Sequence, residues 1–175
     1  ATWIDRWPDW PGQYRVLNLV GPAESGKGHL ASIWREQADA AIVGNLADWR
    51  PDSDIGNVIL DNPVPGSHWP EEPLFHLVNA TSHKACSLLI VSREPVAGLG
   101  WQLADLTSRL RSANLVRLER PDDALLRRLL EKYFADRQLV VGGQVLHYMV
   151  GRMERSFQAV QTIAAAMDRR SLATR

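Results

Sequence analysis

The chain has 175 residues, in which 20 Lys plus Arg balance 20 Asp plus Glu, with 45% apolar residues and one cysteine. A formal net charge of zero argues against whole-molecule attraction to nucleic acid or anionic lipid, while leaving room for a local basic patch. Cys86 has no intrachain partner for a disulfide, no apolar run approaches the ~18 residues of a membrane span, and no charged leader precedes an apolar stretch, so a cytoplasmic globular protein with one full core is the expectation.

The sequence opens at Ala1 rather than Met, which leaves residues upstream open. Trp3, Trp7 and Trp10 then place three of the seven tryptophans within ten residues. The reading favoured on general grounds is a segment laid across the core with its rings as anchors; stacking on a purine is the alternative. Beyond it, short apolar β-type runs alternate with segments of helical period, the pattern of an α/β domain with a largely parallel sheet. The predicted strands are Arg15 to Val20, Ala40 to Val43, Asn57 to Asp61, Ser87 to Ser92 and Leu115 to Glu119. Between them, Leu30, Ile33 and Trp34 share one helix face, as do Leu74, Leu77 and Val78, and Leu103, Leu106 and Leu110. Right-handed crossovers would set helices on both faces of the sheet.

After Arg120-Pro121 the strand signal stops. Asp122 or Asp123 is placed to cap a helix carrying Leu125, Leu126, Leu129, Leu130, Tyr133 and Phe134. Gly142-Gly143 breaks the chain before a short helix with Val145, Tyr148 and Met149, and Ser156 is placed to cap a last helix with Phe157, Val160, Ile163 and Met167. The expected division is an α/β core over 1–120 and an all-helical appendage over 121–175.

The segment Gly21-Pro22-Ala23-Glu24-Ser25-Gly26-Lys27-Gly28-His29 follows an apolar strand and opens a helix. Its G-x-x-x-x-G-K spacing would arise by chance in roughly 5% of chains this long at ordinary glycine and lysine frequencies. The flanking strand and helix therefore decide the reading in favour of a nucleotide-phosphate loop. Gly21 and Gly26 let the backbone turn its N–H groups toward phosphate oxygens, the helix adds its positive end, and Lys27 brings an ammonium to the β and γ phosphates. Gly28 stands where the magnesium-binding hydroxyl belongs. Cradling of phosphate survives that loss, whereas positioning of a metal does not. Asp61, at the end of the third strand, is the candidate for holding magnesium through water, with a strand-end turn role as the plain alternative. Its neighbour Asn62 stands where an acid normally orients the attacking water, so fast hydrolysis by the isolated chain is not expected.

With these motifs placed, further segments line up. Asp105-Leu106-Thr107-Ser108-Arg109-Leu110, an apolar strand, and then Glu119-Arg120-Pro121-Asp122-Asp123-Ala124-Leu125-Leu126 resemble the D-L-x-S-R-L stretch and lid entry of AAA+ proteins in the DnaA group. The pair Asp61-Asn62 is closer to Hda-like regulators of replication initiation than to DnaA, and Leu88 to Pro95 resembles the group's fourth strand and first sensor. The resemblance runs from about Trp10 to Leu172. It implies a P-loop AAA+ core with a mostly parallel five-stranded sheet and a small helical lid. It implies a module that holds ADP or ATP, docks on DnaA loaded with ATP and promotes hydrolysis of that ATP. Arg109 would then be an arginine finger offered in trans, although a basic residue near a helix C-terminus has a plain role in complementing the helix dipole. An ATPase core of an initiator or helicase loader, and a nucleotide-free scaffold, are the alternatives.

Several positions depart from the group's pattern. Gln158 occupies the place of a second sensor arginine, with Arg152 and Arg155 as substitutes or as solvent-facing residues. Arg93 stands where the first sensor has an acid or amide, which leaves Ser92 as the polar candidate. The group's clamp-binding peptide does not occur in these residues, so docking on the sliding clamp would require a segment upstream; sequence-specific DNA binding and membrane association are not expected, and a homodimer is left open. His68, His76 and His83 are too widely spaced for a metal site. Cys86 reads as a small buried hydrophobe, and Arg169-Arg170 with Arg175 as a solvated tail.

Overall fold

The computed structural model describes residues 2–47, 56–83 and 86–173. The chain divides into two compact units, one of residues 1–21 and 27–118 and one of residues 22–26 and 119–175.

The first unit is built on strands β1 (Val16–Val20), β2 (Ala41–Val43), β3 (Val58–Asp61), β4 (Leu88–Ser92) and β5 (Asn114–Arg117). They form one all-parallel sheet in the order β2-β3-β4-β1-β5. Parallel strands covered on both faces read as near-continuous apolar runs, and β1 and β4 are buried at every residue. Alternate side chains feed two cores. Val16, Val58, Leu60, Leu88 and Ile90 pack with Leu74, Leu77 and Val78 of α3 (Glu71–Ser82) and Leu106 and Leu110 of α4 (Ala104–Arg111). Leu17, Leu19, Ile59, Leu89 and Val91 pack with Ala31, Trp34 and Ala38 of α2 (Lys27–Ala38) and with the N-terminal segment.

That segment begins with the short helix α1 (Thr2–Asp5), and Ile4 and Trp10 are buried on α2. Trp10 stacks on Trp34 with ring centroids 5.5 Å apart, its Nε1 donates to the Trp3 carbonyl, and Trp7 Nε1 donates to Ser87 Oγ at 3.0 Å. Ser87 precedes β4, so Trp7 lies at the N-terminal end of the parallel strands, whereas Gly21 follows the C-terminal end of β1. Trp10 is buried and Trp3 and Trp7 pack partly buried against the same core, as the anchoring reading expects.

Face assignments were partly redrawn by packing. In α2 the buried stripe is Ala31, Trp34 and Ala38, and Ile33 is 41% exposed, because the bulk of Trp34 fills the space under the helix and leaves the neighbouring row outside. Leu103 is the residue before α4 and is exposed, leaving Leu106 and Leu110 to enter the core.

The second unit carries α5 (Asp123–Ala135), α6 (Gly143–Val150) and α7 (Phe157–Ala173), packed around Leu126, Leu130, Phe134, Leu146, Val150, Val160 and Ala164. Asp122 caps α5 by accepting from the Leu125 amide at 2.7 Å, and Ser156 Oγ accepts from the Ala159 amide at 3.0 Å at the start of α7. On α6, Met149 packs partly buried against the core as expected, whereas Val145 and Tyr148 face outward and Leu146 and Val150 take the buried places. Arg169, Arg170 and Arg175 lie outside the residues whose side chains are described. Among the described residues no helix is long and apolar enough to cross a membrane.

Candidate nucleotide-phosphate site

The sheet delivers the loop. The Gly21 amide donates to the Ser92 carbonyl at 3.2 Å and the Leu118 amide donates to the Val20 carbonyl at 2.7 Å, the last rungs before the chain turns off the sheet. Glu24 and Gly26 then take the left-handed region with φ of 64° and 91°, and α2 starts at Lys27. A helix start leaves its first amides without intrahelical acceptors and carries a partial positive charge, which suits an anion. Pro22, Ala23, Gly28 and His29 are exposed, and Gly21, Ser25 and Lys27 are buried.

Lys27 Nζ donates to the Gly21 carbonyl at 2.6 Å, so the ammonium is tied back to the residue that opens its own loop. Burial lowers the Lys27 pKa from its ordinary value, the Arg93 charge lowers it further, and Asp61 works in the opposite direction. Gly26 is demanded twice. Its φ disfavours any side chain, and a Cβ there would lie 2.8 Å from a ring carbon of Phe157, the first residue of α7.

The donors fit a polyphosphate: backbone amides at a helix start, a turn that depends on Gly26, and a tethered ammonium. They do not make a good magnesium site. Gly28 offers no hydroxyl, although a Cβ built there meets nothing within 4 Å, so packing does not forbid one. Asp61 is exposed at the end of β3, and among the described residues no three of His, Cys, Asp and Glu gather. Asn62 has φ of 50°, a conformation in which Asn is more at home than most residues. A local backbone role therefore accounts for an amide at that position.

Ser92 is not poised toward a ligand. It is buried, its Oγ donates to the Glu94 carbonyl at 2.6 Å, and it accepts from Asn18 Nδ2 at 2.8 Å. Asn18 also donates to the Ile90 carbonyl and accepts from the Val96 amide, so it ties β1, β4 and the 3-10 turn at Val96–Gly98 together. Sequence reading passed over Asn18; the signal was a lone amide inside the apolar run Val16-Leu17-Asn18-Leu19-Val20.

Arg109 lies in the last turn of α4, half-buried, with its guanidinium 4.1 Å from the Phe75 ring centroid. With Gln13, Tyr14, Asp105, Ser108 and Ser112 it lines a hollow of about 320 Å³. Gln13 and Tyr14 precede β1, so Arg109 sits at the end of the sheet opposite Gly21 and Lys27.

In the second unit, Arg155 pairs with Asp123 at 2.9 Å and Arg152 stacks on the Tyr148 ring, so both arginines are engaged at the surface. Gln158 lines a groove of about 440 Å³ with Glu24, Glu154, Ser156 and Thr162. The Glu24 carboxyl is pushed above its ordinary range, first by a hydrogen bond with Glu154 and then by that residue's charge, with Arg120 opposing. Glu154 was not among the expected site residues, since nothing in its sequence neighbourhood links it to position 24. His68, His76 and His83 are exposed, and His83 ends α3. Cys86 is buried, as expected.

No protein-family profile matches the chain, and no curated protein sequence does. Solved structures do. Domain III of the Thermotoga maritima replication initiation protein DnaA superposes with a TM-score of 0.73 at 14% identity, covering 99% of this chain and 84% of that one. AMPPCP-bound DnaA from Aquifex aeolicus gives a TM-score of 0.71 at 14% identity, covering 91% and 57%. The RuvB Holliday junction branch migration motor of Thermotoga maritima gives 0.61 at 14% identity, covering 87% and 53%. Apart from the isolated domain III, the chain spans about 55% of the length of the DnaA-type structures it resembles. At this identity the likeness shows the fold alone: an α/β unit with an all-parallel five-stranded sheet, folded as in DnaA domain III.

Proposed function

We propose that the chain is a regulatory AAA+ module of the Hda kind: it holds ADP or ATP through Gly21 to His29, docks on DnaA charged with ATP, and promotes hydrolysis of that ATP with Arg109 supplied in trans. The observation that carries this reading is the position of Arg109. An arginine at the N-terminal end of the sheet is on the wrong side of its own unit to reach a phosphate beside Lys27, and a half-buried guanidinium braced on Phe75 is presented to whatever docks there. The degenerate metal position at Gly28 and the amide at Asn62 agree with weak hydrolysis by the chain itself. The core of residues 1–120 and the lid of 121–175 act as the nucleotide-holding and responding parts, and Gln158 stands where the group carries its second sensor arginine.

The test is single-turnover hydrolysis of ATP preloaded on DnaA. Adding the chain accelerates it, and Arg109→Ala abolishes the acceleration while nucleotide binding persists; acceleration unchanged in that variant removes the role. The likeness to DnaA domain III favours a second reading equally well, an initiator-type ATPase core. Steady-state ATP turnover by the purified chain alone supports that second reading.

A further inference from the structure

The position that should carry a first sensor holds a cation, and the sheet places it beside the phosphate loop. In the parallel register Val20 pairs with Ser92 and Asp61 pairs with Val91, so Arg93 is the first residue beyond β4, level with Gly21 on one side and two residues past the level of Asp61 on the other. Neighbouring strands lie about 4.8 Å apart, well within the span of an arginine side chain. Arg93 is exposed, and among the described residues it has no ion-pair partner. Lys27 and Arg93 repel one another, and Asp61 acts on Lys27 in the opposite direction. Two cations held in mutual repulsion gain from an anion placed between them. The loop meanwhile lacks the hydroxyl at Gly28 that anchors magnesium where that charge is supplied by a metal.

Resting on the nucleotide-binding reading above, we propose that Arg93 binds the polyphosphate beside Lys27 and supplies positive charge in place of a divalent cation, so that the chain holds adenine nucleotide without magnesium. Arginine suits the task, because its planar fork makes charge-assisted hydrogen bonds to two phosphate oxygens at once. Asp61 then balances the pair of cations rather than serving a metal.

The experiment is calorimetric titration of ADP and of ATP into the full chain, once in magnesium and once in EDTA, with the wild type, Arg93→Gln, Arg93→Lys and Lys27→Ala. Equal thermal midpoints establish that the variants are folded. The expected result is wild-type affinity that changes little between the two buffers, weakens about tenfold in Arg93→Gln and is largely restored in Arg93→Lys. Binding that appears only with magnesium, or that Arg93→Gln leaves unchanged while Lys27→Ala removes it, overturns the role of Arg93 and leaves the phosphate loop standing. Absence of binding in every buffer overturns the phosphate-loop reading itself.

Discussion

Asn18 Nδ2 donates to Ser92 Oγ at 2.8 Å, joining the middle of β1 to the end of β4 where neither residue meets water. The same amide side chain satisfies the Ile90 carbonyl and the Val96 amide, so the C-terminal rim from which Gly21 and Arg93 depart is held by a buried polar knot inside an apolar sheet.

Replacing Asn18 by Ala strips three hydrogen bonds and strands a buried amide, each stranded group costing about 1–3 kcal/mol. Asn18→Ala is expected to lose about 3 kcal/mol in urea unfolding, whereas Ser92→Ala, which keeps the Asn18 bonds to the backbone, loses less than half as much. Equal losses would show that the hydroxyl, not the amide, is the keystone.

Much of the fold was legible because the burial pattern was strong: five apolar strands, a turn after each, and glycine spacing at the loop. What was not legible depended on volumes and neighbours. Ile33 followed the right period but lost its place to Trp34, and on α6 Leu146 and Val150 took the buried places expected of Val145 and Tyr148, with Met149 packing as expected. The strand before the loop and the helix after it were readable from the apolar pattern, and together with the glycine spacing they singled out Gly21 to Lys27. The linkage of Glu24 to Glu154, the contact of Gly26 with Phe157 and the closeness of Arg93 to Lys27 join residues distant in sequence, which local pattern does not encode.

Gly28 is open to a side chain. Gly28→Thr supplies a hydroxyl at the second residue of α2, and threonine is also a better helix residue than glycine by about 0.3–0.5 kcal/mol. The variant is expected to fold at least as stably as the parent and to gain about tenfold in nucleotide affinity when magnesium is added, whereas the parent is expected to gain little; paired titrations with and without the metal measure it.

The Glu154 carboxyl beside Glu24 holds the Glu24 pKa above its ordinary value, through a hydrogen bond first and its charge second. Because the folded pKa of Glu24 is raised, its contribution to stability is present below the ordinary carboxylate range near 4.5 and is lost as pH rises through the folded value. Glu154→Gln removes the repulsion. Its melting temperature relative to wild type is expected to rise between pH 4 and pH 7, and a flat difference over that range would remove the pair as its cause.

Cys86 is buried, and burial pushes its thiol up to about 11. At pH 8 the thiolate fraction is then about 10⁻³ by simple titration, so alkylation by iodoacetamide is expected to proceed only in step with unfolding. The sign for stability is the same as for Glu24: the contribution holds below the unfolded pKa near 9 and fades as pH climbs toward 11. Rapid modification of the native chain at pH 8 would place the thiol at the surface.

Lys27, tied to the Gly21 carbonyl at 2.6 Å, is the residue on which polyphosphate binding depends most. The most direct measurement is a calorimetric titration of ADP into the wild-type chain and into Lys27→Ala, both shown to be folded by circular dichroism. One molecule of ADP should bind per wild-type chain and the variant should bind at least a hundredfold more weakly, as expected when a buried charged hydrogen-bond donor to an anion is removed; equal affinity in the two proteins, or no heat from either, would contradict the phosphate loop as the seat of function.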